Sequence, residues 1–227
     1  MVHYRVHRDP KSSHQQISKL VRELRLSPIL DVGAAQGMLG HSLQDSGFTI
    51  DGIEANPQWA EMARPMYRQV WASYAEQAPL EPKTYKLVVC GDVVEHTPDP
   101  VGVLKKLAEA TTDDARFIIS VPNVAHLAIR LMLLLGKFPK MERGILDKTH
   151  LQFLTRDTAE AMLRQAGLKV LSASATGVPV DELWRRGENK FLFRAAVRMQ
   201  HVALDLAPRL FGMQWVFVAE PAPSGPA

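Results

Sequence analysis

Apolar residues follow two different spacings along the chain, and their alternation predicts β-strands connected by helices. Short, nearly continuous apolar runs occupy residues 29–32, 48–54, 85–90 and 116–121, each bounded by polar residues, glycine or proline. Between these runs, apolar residues recur every three or four positions, as in amphipathic helices. Strands that alternate with helices of this length favour an α/β fold, in which a parallel sheet is covered by helices on both faces.

Capping residues indicate where several of the helices begin. Asn56-Pro57 and Asp99-Pro100 each place a side-chain acceptor before a proline, which suits the first turn of a helix. Thr155 has the same capping role before a helix that ends near Ala166. Ser13 to Gln16 has the form of a capping box and predicts the start of the first helix. A further helix is predicted at 191–206.

The alternation breaks after the run at 116–121, and about thirty residues pass before the next predicted helix. We interpret residues 123–154 as an insertion after the fifth strand and predict that they form a lid over a ligand site. Residues 1–220 are then expected to form a single domain whose last strand covers 214–218. Residues 221–227, which are rich in proline, are predicted to be a disordered tail.

Bulk composition limits the class of protein. A chain of 227 residues with 46% hydrophobic content can form one well-cored domain. Cys90 is the only cysteine, which excludes an internal disulfide and favours a reducing compartment. Because no apolar run approaches the ~20 residues that cross a bilayer, a cytoplasmic protein is expected. The net charge of +3 is mild, and no aromatic and basic platform for single strands is present, so no nucleic-acid partner is expected.

The segment from Ile29 to Gly40 predicts a strand that ends at an acid, then a glycine loop, then a helix. Glycines at 33 and 37 allow close backbone approach to a ligand, and the free N–H groups of the following helix point into the loop. Glu54 lies 21 residues beyond Gly33, at the end of the second predicted strand, where its two oxygens can accept both ribose hydroxyls. This arrangement is typical of a nucleotide site, for either a nicotinamide dinucleotide or a methyl donor. The glycine order differs from G-x-G-x-x-G, which favours the methyl donor.

Four blocks of sequence resemble class I S-adenosylmethionine-dependent methyltransferases. Asp31-x-Gly33-x-Ala35-x-Gly37 resembles their first motif, with alanine in place of the middle glycine. Residues 91–100 resemble the block after the fourth strand in the ubiquinone-pathway O-methyltransferases, and residues 120–126 and 144–155 resemble blocks of bacterial methyltransferases. The resemblance covers roughly residues 12–172 and implies a Rossmann-like, doubly wound, seven-stranded sheet whose last strand is antiparallel. It also implies S-adenosyl-L-methionine as the cofactor.

The resemblance places the cofactor contacts at the ends of the first four strands. The residues implied are Asp31, Gly33, Ala35, Gly37, Glu54, Ala55, Ser73 and Asp92. At the position of Ser73, many relatives have an acid that binds the adenine amino group. This chain has a hydroxyl there instead. Glu76 is an alternative for that contact.

Three residues are predicted to be catalytic: Glu95 and His96, which follow the fourth strand, and His150 in the inserted segment. Histidine can remove a proton from an acceptor hydroxyl at neutral pH. His126 is a weaker candidate. Two alternatives stay open: Asp92, Glu95 and His96 could bind a divalent cation, although no metal site is predicted, or His96 could have a purely structural role.

The predicted reaction is O-methylation of a small-molecule, glycan or lipid-linked acceptor. N-methyl transfer and a non-catalytic cofactor-binding module are the alternatives. Residues 127–138 and 191–206, together with Arg185, Arg186 and Lys190, raise a hypothesis of peripheral membrane contact, although core and lid packing is the favoured interpretation of both segments. The oligomeric state is not predicted.

Overall fold

The structure is a computed structural model, and it describes residues 9–178 and 190–222. Within these residues the strands form a single sheet in the order β3-β2-β1-β4-β5-β7-β6. The strands are β1 (Ile29–Val32), β2 (Ile50–Ile53), β3 (Gln69–Trp71), β4 (Tyr85–Gly91), β5 (Thr111–Pro122), β6 (Leu168–Ala175) and β7 (Gln214–Pro221). Strands β1 to β5 pair in parallel, and β7 is antiparallel to both β5 and β6. The predicted seven-stranded sheet with an antiparallel last strand is confirmed.

Helices and 3₁₀ turns connect the strands. The helices are α1 (Ser13–Leu24), α2 (Met38–Ser42), α3 (Pro57–Ala63), α4 (Pro100–Glu109), α5 (Leu127–Leu134), α6 (Arg156–Gln165), α7 (Lys190–Leu206) and α8 (Pro208–Phe211). The 3₁₀ turns cover Arg64–Met66 and Val94–His96. No helix in the described part of the chain has both the length and the apolar character needed to span a membrane.

Side chains on both faces of the sheet are buried. Phe117 and Ile118 are neighbours in β5 and therefore point to opposite faces, yet both are fully buried. Phe117 belongs to a cluster that includes Leu104 of α4 and Leu163 of α6. Ile118 belongs to a second cluster that includes Val21 of α1. A core on each face explains why the central strands are almost continuously apolar in sequence.

The caps predicted for α3, α4 and α6 are present. Asn56 Oδ1 accepts hydrogen bonds from the backbone N–H groups of Gln58 and Trp59, and Asp99 Oδ1 accepts one from Gly102. Thr155 forms a full capping box with Thr158. Each cap satisfies N–H groups that a helix end leaves without a partner.

The capping box predicted at Ser13 is wrong. The N-cap of α1 is Ser12, whose side chain makes no capping hydrogen bond. The Gln16 amide instead donates to the backbone oxygens of Lys11 and Ala175, both at 3.1 Å. The side-chain oxygen Oε1, which a capping box would use, accepts a hydrogen bond from Ser174 Oγ of β6 at 2.8 Å instead.

The start of β5 and the end of β7 differ from their predicted positions. Strand β5 begins at Thr111, five residues before the predicted run. Strand β7 continues to Pro221, and the N–H of Ala222 donates to Gly167 O at 2.7 Å, so the tail predicted from residue 221 starts too early. Residues 223–227 lie outside the described residues. Segment 123–154 does separate β5 from α6, as predicted, and its action as a lid stays a prediction.

Candidate active site

The loop after β1 is shaped by residues in the left-handed region. Gly33 has φ +75°, and a Cβ at this position would lie 2.5 Å from Val93 Cγ2. Glycine at this position therefore avoids both the strain of the left-handed backbone and a clash with Val93. Ala35 has φ +48°, a conformation that costs an L-residue about 1–2 kcal/mol. Alanine therefore occupies the middle-glycine position of the motif in the conformation that favours glycine.

Glu54 joins the end of β2 to this loop. Its carboxylate is buried, with 7% of the residue exposed, and Oε2 accepts a hydrogen bond from the N–H of Ala35 at 2.7 Å. Oε1 accepts a second bond from the N–H of Asn56 at 2.8 Å. Because a carboxylate oxygen has two lone pairs, each oxygen can accept one further hydrogen bond. The predicted ribose acid is therefore fixed in position and still able to bind hydroxyls.

Asp31, at the end of β1, is held by a tyrosine that the sequence patterns did not mark. The hydroxyl of Tyr67 donates to Asp31 Oδ2 at 2.5 Å and accepts the N–H of Gly40 at 3.2 Å. Burial raises the pKa of Asp31 to about 7, the bond from Tyr67 opposes this, and the nearby charge of Glu54 adds to it. Tyr67 lies just before β3, in a stretch without a motif.

Ser73 and Ala55 complete the rim on this side of the sheet. The Ser73 hydroxyl is buried and has no hydrogen-bond partner within the described residues. A buried polar atom without a partner is rare in a folded protein and often marks a ligand contact. Ala55 is exposed and lies directly between Glu54 and Asn56.

Asp92 follows β4 in the left-handed region, with φ +55°, and both its carboxylate oxygens have protein partners. Ser120 Oγ of β5 donates to Oδ1 at 2.7 Å, and Gln214 Nε2 of β7 donates to Oδ2 at 2.7 Å. Gln214 is 122 residues away in sequence, so no local pattern indicates this contact. The carboxylate of Asp92 is therefore held toward the antiparallel part of the sheet.

The three predicted catalytic residues lie together. Glu95, His96 and His150 each offer an oxygen or nitrogen atom, and these atoms all lie within 4.8 Å of one another. The two histidine rings meet edge to face, with centroids 4.7 Å apart. The N–H groups of Leu151 and Gln152 donate to the backbone oxygen of Glu95, at 2.8 and 3.0 Å, and thereby anchor the inserted segment beside the end of β4.

Hydrogen bonds assign the proton positions of the two histidines. His150 Nδ1 lies 3.1 Å from the backbone oxygen of Ile145, and His96 Nδ1 lies 3.3 Å from that of Thr149. A carbonyl oxygen only accepts, so we assign the proton of each neutral ring to Nδ1 and the free lone pair to Nε2. Burial lowers the pKa of His150, while its bond to Ile145 opposes the shift. A neutral His150 with a free Nε2 can act as a base or as a metal ligand.

Glu95 is the most unusual member of the cluster. It is fully buried, and neither carboxyl oxygen has a hydrogen-bond partner within the described residues. Burial raises its pKa well above the ordinary range, and the charge of Asp92 adds to the shift. A buried carboxyl without partners is costly unless it is neutral or binds a ligand. The Glu95, His96 and His150 donor set suits several divalent cations and selects none of them.

Two other polar residues near the inserted segment have structural partners. His126 Nδ1 accepts the N–H of Ala128 at 3.2 Å and so caps α5. Asn123 is buried, and its amide donates to Gly212 O at 2.8 Å. Both contacts stabilise the start of the insertion.

A family model described as a methyltransferase domain matches residues 3–173 of the chain. The ubiquinone biosynthesis O-methyltransferase of Aeromonas salmonicida is 28% identical over 173 residues, which cover 71% of each protein. Among solved structures, an S-adenosylmethionine-dependent methyltransferase from Archaeoglobus fulgidus has a TM-score of 0.62 at 17% identity, covering 92% of this chain and 94% of that one. A possible histamine N-methyltransferase from Thermotoga maritima has a TM-score of 0.58 at 16% identity, covering 90% and 88%.

The two solved structures are similar in fold, whereas the family match rests on sequence and covers the loop after β1, Glu54 and the block after β4. The name of the Aeromonas salmonicida protein indicates an oxygen acceptor and that of the Thermotoga maritima protein a nitrogen acceptor, as expected when one fold hosts many substrates. The chain therefore belongs to this family of methyltransferase domains, and its cofactor is S-adenosyl-L-methionine.

Proposed function

We propose that the protein transfers the methyl group of S-adenosyl-L-methionine to a hydroxyl oxygen of a small-molecule, glycan or lipid-linked acceptor. The observation that carries this proposal is the cluster of Glu95, His96 and His150, whose atoms lie within 4.8 Å of one another at the end of β4. An oxygen acceptor gains from a nearby base, because its proton must leave when the new bond forms. The name of the Aeromonas salmonicida relative, an O-methyltransferase, supports the choice of oxygen.

The cofactor is assigned to the rim formed by the ends of β1 to β4. The residues proposed to hold it are Asp31, Gly33, Ala35, Gly37, Glu54, Ala55, Ser73 and Asp92. Glu54 has free lone pairs for the ribose hydroxyls, and the unpartnered Ser73 hydroxyl suits the adenine end. Asp31, at the end of β1, is proposed to bind the amino group of the methionine part. Hydrogen bonds from Ser120 and Gln214 orient the carboxylate of Asp92 at this rim.

His150 is proposed as the base. When bound, S-adenosyl-L-methionine supplies a methyl group on a positively charged sulfur. His150 Nε2 removes the proton of the acceptor hydroxyl, and its Nδ1–H stays bonded to Ile145 O. His96 lies beside it, oriented by Thr149, and shapes the acceptor site. Glu95 is fully buried beside the two histidines, so in its protonated form it is proposed to position them rather than to contact the acceptor.

An acceptor that carries both a hydroxyl and an amino group tests whether oxygen or nitrogen is methylated. The purified protein is incubated with radiolabelled cofactor and 2-aminophenol, and mass spectrometry locates the added methyl group. We expect methylation of oxygen, and a loss of roughly 10²-fold or more in turnover in His150→Ala with unchanged cofactor affinity. Methylation of nitrogen alone would assign the protein to the N-methyltransferases. Tight cofactor binding without turnover on this acceptor or on a metabolite extract would favour a non-catalytic module.

A second candidate is metal-assisted methyl transfer at the same cluster. The close grouping of Glu95, His96 and His150 favours it, because a bound cation lowers the pKa of an acceptor hydroxyl without a protein base. The cluster differs from the metal set considered from sequence, since His150 takes the place of Asp92. Chelation separates the two candidates, as described in the Discussion.

A further inference from the structure

The inserted segment exposes an unusual amount of apolar surface. Within α5, Ile129 is the buried residue. Of the favoured interpretation, core and lid packing, the core part is therefore wrong for most of this helix, and the lid part stays a prediction. Leu134 is 80% exposed and Leu135 is 71% exposed. We name the exposed apolar residues of the segment the apolar surface: Leu131, Leu133, Leu134, Leu135, Phe138, Met141, Leu151 and Phe153. Soluble proteins rarely leave such surfaces uncovered unless they bind a partner or a membrane.

Exposed basic side chains alternate along the chain with residues of the apolar surface. Arg130, Lys137, Lys140 and Arg143 are all exposed in the same stretch of chain. The acidic residue of this stretch, Glu142, forms an ion pair with Lys148 at 2.8 Å. Exposed leucines with lysine and arginine at their edge are the pattern of segments that lie in the headgroup region of anionic membranes. Arg185 and Arg186, which contribute to this hypothesis in the sequence, lie outside the described residues.

We propose that the apolar surface docks on the surface of a membrane that contains anionic lipids. The charge pattern argues for anionic lipid over a protein partner, because the four basic side chains are exposed in the same stretch as the leucines and the acid of this stretch, Glu142, is already paired with Lys148. Helix α5 has eight residues, which is too short to cross a bilayer and long enough to lie in the interface.

A row of aromatic rings connects the apolar surface to the predicted base. Phe138 and Phe153 meet edge to face with centroids 5.1 Å apart, Phe153 lies 6.4 Å from His150, and His150 lies 4.7 Å from His96. Docking would thus bring the acceptor site to the membrane surface and favour an amphiphilic acceptor held there. This statement about the acceptor rests on the proposed function, whereas docking itself does not.

Vesicle sedimentation tests docking without any acceptor. The full chain is mixed with vesicles of phosphatidylcholine alone, or with about 30% phosphatidylglycerol, and the bound fraction is measured. We expect binding to the anionic vesicles, a loss of about tenfold or more in Leu134→Asp/Leu135→Asp, and a similar loss in Lys137→Glu/Lys140→Glu, since each basic side chain contributes roughly fivefold. Leu171→Asp and Lys105→Glu change exposed residues of β6 and α4 and serve as matched controls that bind like the wild type.

Three results would overturn docking. The first is that the wild type does not bind anionic vesicles, and the second is that all variants bind them equally. The third is that the wild type is a dimer in sedimentation velocity and Leu134→Asp/Leu135→Asp is a monomer. The last would assign the apolar surface to a second copy of the chain. Cofactor affinity, measured on the same samples, keeps this test separate from the proposed function: a chain that binds vesicles without methylating any acceptor contradicts only the latter.

Discussion

The backbone N–H of Ala35 donates a hydrogen bond of 2.7 Å to Oε2 of Glu54, so the loop after β1 and the acid after β2 form one unit. The two residues are 19 positions apart in sequence. The bond orients the carboxylate and also fixes an alanine whose left-handed backbone would otherwise be unfavourable. Preorganisation of this kind reduces the entropy that cofactor binding must overcome.

Replacement of Glu54 is expected to weaken cofactor binding. In Glu54→Gln the amide keeps the volume of the side chain but loses its charge. Its NH₂ group must also face one of the two backbone N–H groups that bond to Glu54, so two donors meet and one hydrogen bond is lost. Charged hydrogen bonds contribute about 1.5–3 kcal/mol each, so we expect Kd to rise roughly 10- to 100-fold in isothermal titration with S-adenosyl-L-methionine.

Asp51, within the strand that Glu54 follows, offers a matched control. It is also buried, and its carboxylate accepts hydrogen bonds from Arg68 and Tyr85, which are not among the residues proposed to hold the cofactor. Asp51→Asn should lower the melting temperature and leave Kd unchanged. Wild-type affinity in Glu54→Gln would show that the ribose acid has been assigned wrongly.

The role of space at Gly33 can be separated from that of its backbone angle. Gly33→Ala introduces a Cβ that meets Val93 Cγ2, in addition to strain at φ +75°. Gly47 has φ +70°, and no atom lies within 4 Å of the position that a Cβ would take there, so Gly47→Ala measures the strain alone, about 1–2 kcal/mol. We expect Gly33→Ala to lower the free energy of unfolding by more than this control and to weaken cofactor binding.

Val93→Ala should restore part of the stability that Gly33→Ala loses. The second substitution removes the methyl group that the new Cβ meets, while the backbone strain remains. A double-mutant cycle by denaturant unfolding gives the coupling, which we expect to be favourable and about 1 kcal/mol or more. Additive effects would contradict the steric explanation.

The order of the elements could be predicted because it depends on local apolar spacing. The runs that form β1, β4 and β5 are apolar since both faces of the sheet are covered, and parallel pairing brings Gly33, Glu54 and Asp92 to one edge. Tyr67 on Asp31 and Gln214 on Asp92 could not be predicted, because they join residues 36 and 122 positions apart whose identities follow no period. The same limit explains Gln16, which the sequence pattern assigns to a local cap and the fold uses for a contact with β6.

Asp31 is expected to make the stability of the free protein depend on pH. Its folded pKa, about 7, lies above the ordinary carboxyl value because burial disfavours the charge. Stability from this group is present in full below about pH 4 and is lost as the pH rises through about 7, where the folded state must ionise a buried carboxyl. Chemical unfolding at several pH values should show this decrease, and Asp31→Asn should remove it.

Cofactor affinity should have the opposite dependence on pH. An amino group near Asp31 favours the ionised carboxylate, so Kd is expected to fall by up to tenfold per pH unit from about pH 5.5 to 7 and then level off. Titrations should stay below about pH 7.5, because an α-amino group itself loses its proton near pH 8. A dependence on pH that persists in Asp31→Asn would assign the effect to another group.

Substitutions in the cluster, combined with chelation, decide between a histidine base and a bound cation. If His150 is the base, treatment with EDTA leaves methyl transfer unchanged, and imidazole partly restores the activity of His150→Ala. Glu95→Gln should then keep activity within about tenfold, because burial already favours the neutral carboxyl that glutamine resembles. His126→Ala, which removes only the cap of α5, is the matched histidine control and should lose less than about tenfold in activity.

Activity that disappears with EDTA and in Glu95→Gln, and that returns with Mg²⁺ or Mn²⁺, would transfer the role of the base to a cation held by Glu95, His96 and His150.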